Sequence, residues 1–212
     1  MTKLYISLCL FSICICSNAQ RNLFNQKYEQ KAIDFKIDEN ELDNYKSKGK
    51  VIVFNEEKHK TKLAKKLLNY RKGKTKKFDK GYYKQEYQII GKEDITHYRI
   101  RYIYVNKGKF DDDEDFDAYI DKIRNLLEKT AFKSVAMQYS MDYNKNVGGD
   151  SGWFKEGKTH PVFFKEVTNT NRLADEIFEF EISESNAYYF AKKTHSKKDI
   201  KEVLVLQTKS RK

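Results

Sequence analysis

The strongest constraint on the fold is a cluster of glycines in residues 144–154, which read NKNVGGDSGWF. Three of the nine glycines of the chain lie within five residues there, and the whole chain contains a single proline. Glycine adopts backbone conformations that other residues avoid, so such a cluster predicts a tight turn that leads into a short strand. The turn therefore fixes where one group of helices and strands ends and the next begins.

Two helices are predicted before this turn. Apolar residues from Phe116 to Leu127 recur at helical spacing, and the acidic run at 111–115 suits the N-terminus of that helix, because carboxylates interact favourably with the helix dipole. A second, shorter helix is predicted at residues 132–139. The run RIRYIYV at residues 99–105 predicts a strand before both helices, with successive side chains on opposite faces.

A helix and further strands are predicted after the turn. Pro161 begins a helix at residues 161–167, since the first turn of a helix tolerates proline. Residues 177–182 read IFEFEI, which is typical of a half-buried strand, and residues 188–192 predict another strand. The apolar run at 203–206 predicts a last strand. The order is β-α-α-β-α-β-β, and the sequence therefore predicts an α+β domain.

A smaller, Lys-rich region precedes this domain at residues 20–95. Its predicted elements are a helix at residues 38–45, a strand at 51–54, a helix at 56–70, a basic break at 71–77 and a strand at 82–90. The second of these helices carries lysines around a row of leucines. Two interpretations stay open: its basic side binds an acidic surface, or the leucine row packs inward and the lysines are only solvated.

The first 19 residues have the pattern of a secretory signal peptide. Lys3 is followed by an apolar run at residues 4–16 and by small residues up to Ala19, after which cleavage is predicted. A lipid anchor on Cys16 and a retained membrane anchor fit less well, because the residues before Cys16 are not small and the run is short for a bilayer. We therefore predict a secreted or periplasmic protein, with association to the cell envelope as the alternative.

Composition restricts both the chemistry and the partners. All three cysteines lie in the predicted signal peptide, so the mature chain has no thiol for a disulfide, a nucleophile or a metal. We predict no cofactor and no metal site. The formal net charge is +11, and an exported protein is not expected to have nucleic acid as its partner. An acidic membrane surface or acidic unfolded polypeptides would match this charge, whereas the alternative is a basic, solvated surface without a specific partner.

The residues around the glycine turn resemble the signature of the parvulin family, the PpiC-type or rotamase peptidyl-prolyl cis-trans isomerases. The step Tyr139-Ser140-Met141-Asp142 comes before the turn, which contains GGD at residues 148–150 and GWF at 152–154. The resemblance covers residues 98–195. Together with the N-terminal patterns, it divides the chain into a signal peptide at 1–19, a basic mixed helix and strand region at 20–95 and a parvulin-like domain at 96–212.

The resemblance implies a folding factor that catalyses cis-trans isomerisation of X-Pro bonds in unfolded or nascent exported polypeptides. Uncatalysed rotation about a peptide bond crosses a barrier of roughly 18–20 kcal/mol, and no bond is broken, so neither a nucleophile nor a metal is required. A pocket that excludes water, with hydrogen-bonding groups beside the twisted amide, is sufficient. The alternatives are a catalytically degenerate parvulin-fold chaperone or binding module of the cell envelope, and a structural envelope protein unrelated to parvulins.

The resemblance also assigns the site. Asp142 matches the family position beside the substrate carbonyl, whereas Tyr102 and Tyr189 stand where the family has histidines. The residues that match substrate-binding positions are Phe163, Trp153, Phe154, Ser151 and Thr159, of which the last two make the pocket more polar. Tyrosine has a pKa of about 10 and does not supply a proton near neutral pH. Structural interpretations also stay open, in which Asp142 caps a turn, the tyrosines belong to the core and Asp150 binds turn amides.

Overall fold

The structure is a computed structural model and describes residues 31–211. The chain forms two compact units, one that comprises the residues up to Ile95 together with Ile200–Lys212, and one that comprises Thr96–Asp199. The prediction that the second domain extends to residue 212 was wrong, because the apolar run near the C-terminus pairs with strands of the first unit. The signal peptide predicted at residues 1–19 lies outside the described residues.

Helices and strands follow one another along the described chain. The elements are α1 (Glu39–Lys48), β1 (Lys50–Asn55), α2 (Lys62–Asn69), β2 (Thr75–Asp79), β3 (Tyr83–His97), β4 (Ile100–Asn106), α3 (Asp113–Lys129), α4 (Phe132–Tyr139), α5 (Pro161–Thr168), β5 (Ile177–Ile182), β6 (Ala187–Lys193) and β7 (Lys198–Arg211). Residues 31–35 are also helical. Within residues 31–211, no helix has the length and apolar content needed to cross a membrane.

The helix predicted at residues 56–70 is confirmed only in its second half, as α2. Asn55 ends β1, and its side-chain oxygen accepts hydrogen bonds from the backbone N–H groups of Glu57 and Lys58, at 2.9 and 3.1 Å. Such bonds offer the backbone an alternative to a helix, and the chain turns here instead. Thr61 then caps α2 by accepting a hydrogen bond from the backbone N–H three residues further on.

The sheet of the first unit has the strand order β1-β7-β3-β2. β1 pairs antiparallel with β7, and β2 pairs antiparallel with β3. Because neighbouring residues of a strand point to opposite faces, Ile90 packs on one face with Leu42 of α1, whereas Ile89 packs on the other with Leu67 of α2. The sheet therefore has helical cover on both faces.

The sheet of the second unit has the strand order β4-β6-β5, and both pairs are antiparallel. Ile103 of β4 packs in one apolar cluster with residues of α3 and α4. Ile100 lies on the opposite face of the same strand and packs in a second cluster with Phe163 of α5. The helices α3 and α4 therefore cover one face of the sheet, and α5 covers the other.

The short strand predicted after the glycine turn was wrong in detail. In its place, two isolated antiparallel bridges join Arg101 to Asp150 and Tyr98 to Phe154. Gly152 lies between these bridges with a φ of +63°, and this left-handed conformation interrupts the extended backbone that a continuous strand needs. The remaining order of helices and antiparallel strands confirms the predicted α+β class.

Candidate active site

Asp142 lies between the end of α4 and a short 3-10 helix, Tyr143–Val147. Its Oδ1 atom accepts a hydrogen bond from the backbone N–H of Asn144 at 3.1 Å, so the side chain caps this helix. The backbone N–H of Met141 donates to the carbonyl of Tyr104 in β4 at 2.8 Å. These two bonds hold the carboxylate of Asp142 beside β4.

The hydroxyl of Tyr102 in β4 donates a hydrogen bond to Oδ2 of Asp142, with the two oxygens 2.8 Å apart. Burial raises the pKa of Tyr102 far above its ordinary value, and the nearby carboxylate of Asp142 raises it further. Tyr102 therefore stays protonated and remains a hydrogen-bond donor at physiological pH. The structure thus brings together two predicted catalytic residues that are 40 positions apart in the chain.

Tyr189 of β6 lies beside this pair, with its ring centroid 5.8 Å from that of Tyr102 in an edge-to-face arrangement. The hydroxyl of Tyr102 donates its hydrogen bond to Asp142, and the two tyrosines contact each other through their rings. Burial raises the pKa of Tyr189 to about 12, with smaller contributions from Tyr104 and Asp142. Both residues predicted for the histidine positions of the family are therefore neutral phenols across the physiological pH range.

A small polar network supports Asp142, and sequence reasoning missed its role. Ser140 Oγ lies 3.1 Å from Asp142 Oδ1 and 2.7 Å from Asn144 Oδ1, so its one proton can serve either acceptor. Asn144 is buried, and its amide donates to the backbone carbonyl of Tyr102 at 2.8 Å. Ser140 and Asn144 are therefore positioning residues. In the sequence, only their position two residues before and two residues after Asp142 indicates this role.

Phe163 of α5 lies within a cluster of aromatic rings and is only 5% exposed. Its ring centroid is 5.1–6.0 Å from those of Tyr102, Phe154, Phe180 and Tyr189. The predicted pocket residue Phe163 thus contacts both predicted catalytic tyrosines, and Phe154 contacts Phe163. Phe180 was missed, although the alternation in IFEFEI assigns it to one face of a strand with the other aromatic residue of that segment.

Three other predicted pocket residues make different contacts. The hydroxyl of Ser151 is bonded to two backbone groups, an N–H at 3.1 Å and a carbonyl at 2.8 Å. The ring of Trp153 lies 5.8 Å from that of His195. The hydroxyl oxygen of Thr159 is buried and has no hydrogen-bond partner in the described part of the chain. None of these contacts reaches Asp142, so the substrate-binding roles of the three residues stay predictions.

An ion pair and a close backbone contact hold the glycine turn against β4. Arg99 donates two hydrogen bonds to the carboxylate of Asp150, at 2.9 and 2.5 Å, and this pairing lowers the pKa of Asp150 to about 2. Gly149 has a φ of +81°, and a Cβ atom there would lie 2.7 Å from the carbonyl oxygen of Tyr102. The turn therefore requires glycine at this position, and it supports the strand that carries Tyr102.

A family model describes the same region of the chain. The model of the PPIC-type PPIASE domain matches residues 89–197, slightly more than half of the chain. The chain belongs to this family. The resemblance to the parvulin-type peptidyl-prolyl isomerase family is thereby confirmed.

The crystal structure of PrsA from Bacillus subtilis is similar to part of the chain. The two sequences are 24% identical over an alignment that covers 47% of this chain and 35% of PrsA, with a TM-score of 0.37. The matched part of the chain thus spans about a third of the length of PrsA. No curated protein sequence matches the chain.

Proposed function

We propose that the second unit isomerises X-Pro bonds through Asp142, Tyr102 and Tyr189, with Phe163 and Phe154 forming the apolar side of the proline pocket. The observation that supports this most is the 2.8 Å hydrogen bond from Tyr102 to Asp142 beside the aromatic cluster. The bond orients a carboxylate and a neutral phenol next to the same rings. This combination suits a reaction that rotates a bond and transfers no proton.

The proposed role of Asp142 is to weaken the double-bond character of the prolyl amide. That character comes from a resonance form with negative charge on the oxygen and positive charge on the nitrogen. A carboxylate beside the carbonyl oxygen disfavours this form, because like charges repel more strongly where rings exclude water. Rotation then starts from a less stabilised planar amide, and the barrier falls.

The proposed role of the aromatic rings is to favour the twisted amide. The twisted amide has a smaller charge separation than the planar one, so an apolar environment costs it less solvation. Tyr189 lies 5.1 Å from Phe163 between ring centroids, and its phenol can donate a hydrogen bond to the twisted peptide group. Ser151, Trp153 and Thr159 complete the proposed substrate-binding surface.

The proposed clients are unfolded or nascent exported polypeptides that contain X-Pro bonds. The signal-peptide pattern at residues 1–19 supports this proposal, because it predicts a secreted or periplasmic protein. The lack of cysteine in residues 20–212 agrees with an oxidising compartment. N-terminal sequencing of the exported protein tests cleavage after Ala19, and a chain that still begins at Met1 would contradict it.

An isomerase assay on a panel of X-Pro tetrapeptides tests the proposed site with two matched variants, Asp142→Asn and Asp117→Asn. Each removes one carboxylate from the second unit, but Asp117 is exposed on α3. We expect Asp142→Asn to lower kcat/KM by about 10- to 100-fold, as for the loss of one preorganised group in an active site. Asp117→Asn should match the parent. Equal rates for all three proteins would overturn the role of Asp142.

One observation favours the alternative of a binding module without turnover. Phe163 is only 5% exposed because neighbouring rings cover it, so a proline ring would have to displace part of the cluster to reach it. Under this alternative, X-Pro peptides bind in calorimetry but isomerise at the uncatalysed rate across the whole panel. Acceleration of even one peptide that is lost in Asp142→Asn would exclude it.

A further inference from the structure

The net positive charge of the chain lies entirely in the first unit. That unit contains 25 of the 42 lysines and arginines but only 13 of the 31 aspartates and glutamates. The second unit contains 17 basic and 18 acidic residues, so its net charge is close to zero. The net positive charge is therefore not spread over the whole protein. Any function of this charge belongs to the first unit.

Within the first unit, the charge is concentrated in residues 58–77. This segment contains nine lysines, one arginine and no acidic residue. Six of these cations are exposed on α2 and the turn after it, and they define the basic surface: Lys62, Lys65, Lys66, Arg71, Lys72 and Lys74. Among residues 31–211, none of the six forms an ion pair with a carboxylate.

The helix and the turn that carry these cations are held in place by packing and by a backbone hydrogen bond. Ala64, Leu67 and Leu68 of α2 are buried, so the exposed lysines of the helix occupy its other side. The turn that follows is tied to β3, because the N–H of Gly73 donates to the carbonyl of Ile89 at 2.7 Å. The apolar side of α2 is therefore buried within the unit, and the side that a partner could contact carries mainly positive charge.

We propose that the basic surface docks the protein on a membrane that carries anionic lipid headgroups. Several lysines near such a membrane each add to the attraction without any insertion into the bilayer. The turn at residues 71–75 lines an open recess on the surface. Three cations line this recess, where a lipid phosphate would bind. The proposal concerns a different unit from the isomerase site and does not depend on it.

The composition of the basic surface favours lipid over a protein or a nucleic acid. Arginine and aromatic residues supply most of the binding energy in protein interfaces, whereas lysine is depleted from them. Sites for single-stranded nucleic acid likewise expose aromatic rings for stacking. Here five of the six cations are lysines, and the aromatic residues at either end, Tyr70 and Phe78, pack in an apolar cluster. Such a surface suits a partner that repeats negative charges, as a lipid membrane does, and that is not recognised by its detailed shape.

Vesicle sedimentation tests the proposal with the chain that starts at Gln20. One triple variant, K62Q/K65Q/K66Q, removes three charges from the basic surface. The matched control, K48Q/K50Q/K84Q, removes three exposed lysines of the same unit from outside residues 58–77. The vesicles contain phosphatidylcholine alone or mixed with phosphatidylglycerol.

We expect the parent and the control to bind only the vesicles with phosphatidylglycerol. The basic-surface variant should bind them on the order of 100-fold more weakly, since each cation near an anionic membrane contributes several-fold in affinity. Binding should also weaken steeply between low and physiological salt. Circular dichroism and the isomerase rate on a soluble peptide should be the same for all three proteins, which separates loss of docking from misfolding and from failure of the isomerase site.

Several results would overturn the docking proposal. Equal weakening in the two triple variants would show that net charge matters rather than the basic surface. Equal binding to vesicles of phosphatidylcholine alone would exclude recognition of anionic headgroups. Tighter binding to a DNA duplex or to polyglutamate than to the anionic vesicles, at the same salt, would assign the surface to that partner. Complete competition by millimolar inorganic phosphate would assign the recess to a free phosphate instead of a lipid.

Discussion

The charged side chains around the candidate active site in the second unit and those of the basic surface in the first unit act in opposite ways. In the second unit, ion pairs join Arg99 to Asp150 and Arg124 to Glu179, and Asp142 is bonded within the candidate active site. In the first unit, the cations of the basic surface face solvent without a carboxylate partner in the described chain. The candidate active site thus depends on the geometry of paired groups, whereas the basic surface depends on the number of its charges.

The contrast has a direct physical consequence. Hydrogen bonds and close ion pairs need partners within about 3–4 Å, and hydrogen bonds also need a suitable orientation, so both depend on close packing. Attraction to a charged surface depends instead on the number of charges and on the salt concentration. Substitutions in the second unit should therefore act through lost geometry, whereas those in the basic surface should act through lost charge.

The largest expected difference separates two glycines with similar backbone angles. Gly149 in the second unit has a φ of +81°, and Gly73 in the first has a φ of +86°. An added Cβ atom would meet the carbonyl oxygen of Tyr102 at 2.7 Å in the first case and nothing within 4 Å in the second. We expect Gly149→Ala to lower the free energy of unfolding by about 3–4 kcal/mol, and Gly73→Ala by about 1 kcal/mol.

Urea denaturation measures these two losses. The fluorescence of Trp153, the single tryptophan, reports on the second unit, and far-ultraviolet circular dichroism reports on both. Equal losses of unfolding free energy for the two glycine variants would show that the backbone angle alone determines the destabilisation. The close approach of Gly149 to β4 would then contribute nothing further.

The next effect concerns the hydrogen bond in the candidate active site. Tyr102→Phe keeps the ring and removes the donor to Asp142, so we expect kcat/KM on X-Pro peptides to fall about tenfold, as for a bond to a charged group. Tyr82→Phe is the control, since Tyr82 is 93% exposed in the first unit. The double variant with Asp142→Asn should lose little more than Asp142→Asn alone. Losses that multiply would show that the two residues act independently.

Acid stability tests the paired charges of the second unit. The pairing with Arg99 lowers the pKa of Asp150 from 3.8 to about 2. A lowered carboxyl pKa stabilises the fold above the ordinary value, and the contribution is lost as the pH falls through the folded-state value. We therefore expect Asp150→Asn to cost about 1–2 kcal/mol of unfolding free energy at neutral pH. The parent and the variant should converge between about pH 4 and about pH 2.

Denaturant titrations at a series of pH values, followed by Trp153 fluorescence, measure this convergence. Asp175→Asn is a suitable control, because the Asp175 side chain is 79% exposed in its ion pair with Lys192 and such surface pairs contribute little. A constant gap between the parent and Asp150→Asn down to pH 2 would contradict the assigned charge pairing.

The smallest expected effect is a flat pH profile of the isomerase. Burial raises the pKa of Tyr102 strongly and that of Tyr189 to about 12, so both phenols stay neutral between about pH 6 and pH 9. Histidines in the same positions would titrate near pH 6.5. We expect kcat/KM to change less than about twofold over this range. A transition between pH 6 and 7 would show that a different group controls the reaction.

Much of the second unit could be read from local residue patterns. The helix predicted at residues 132–139 and the strand predicted at 177–182 coincide with α4 and β5, because the spacing of apolar residues reports which side of an element faces the core. The glycine cluster marked the turn, since positive φ at Gly149 requires glycine. The motif around it named Asp142, and the resemblance to parvulins named Tyr102, before any contact between them was known.

The contacts between distant residues came from the packing of the whole unit. Tyr102 reaches the cluster around Phe163 because β4 pairs with β6 in a register that places Tyr102 opposite Ala191. A slip of one residue would turn its side chain to the opposite face of the sheet. The pairing of β7 with the first unit was equally absent from the local pattern. A run of side chains specifies which face of a strand is apolar, but the neighbour that the strand pairs with depends on every other element competing for the same core.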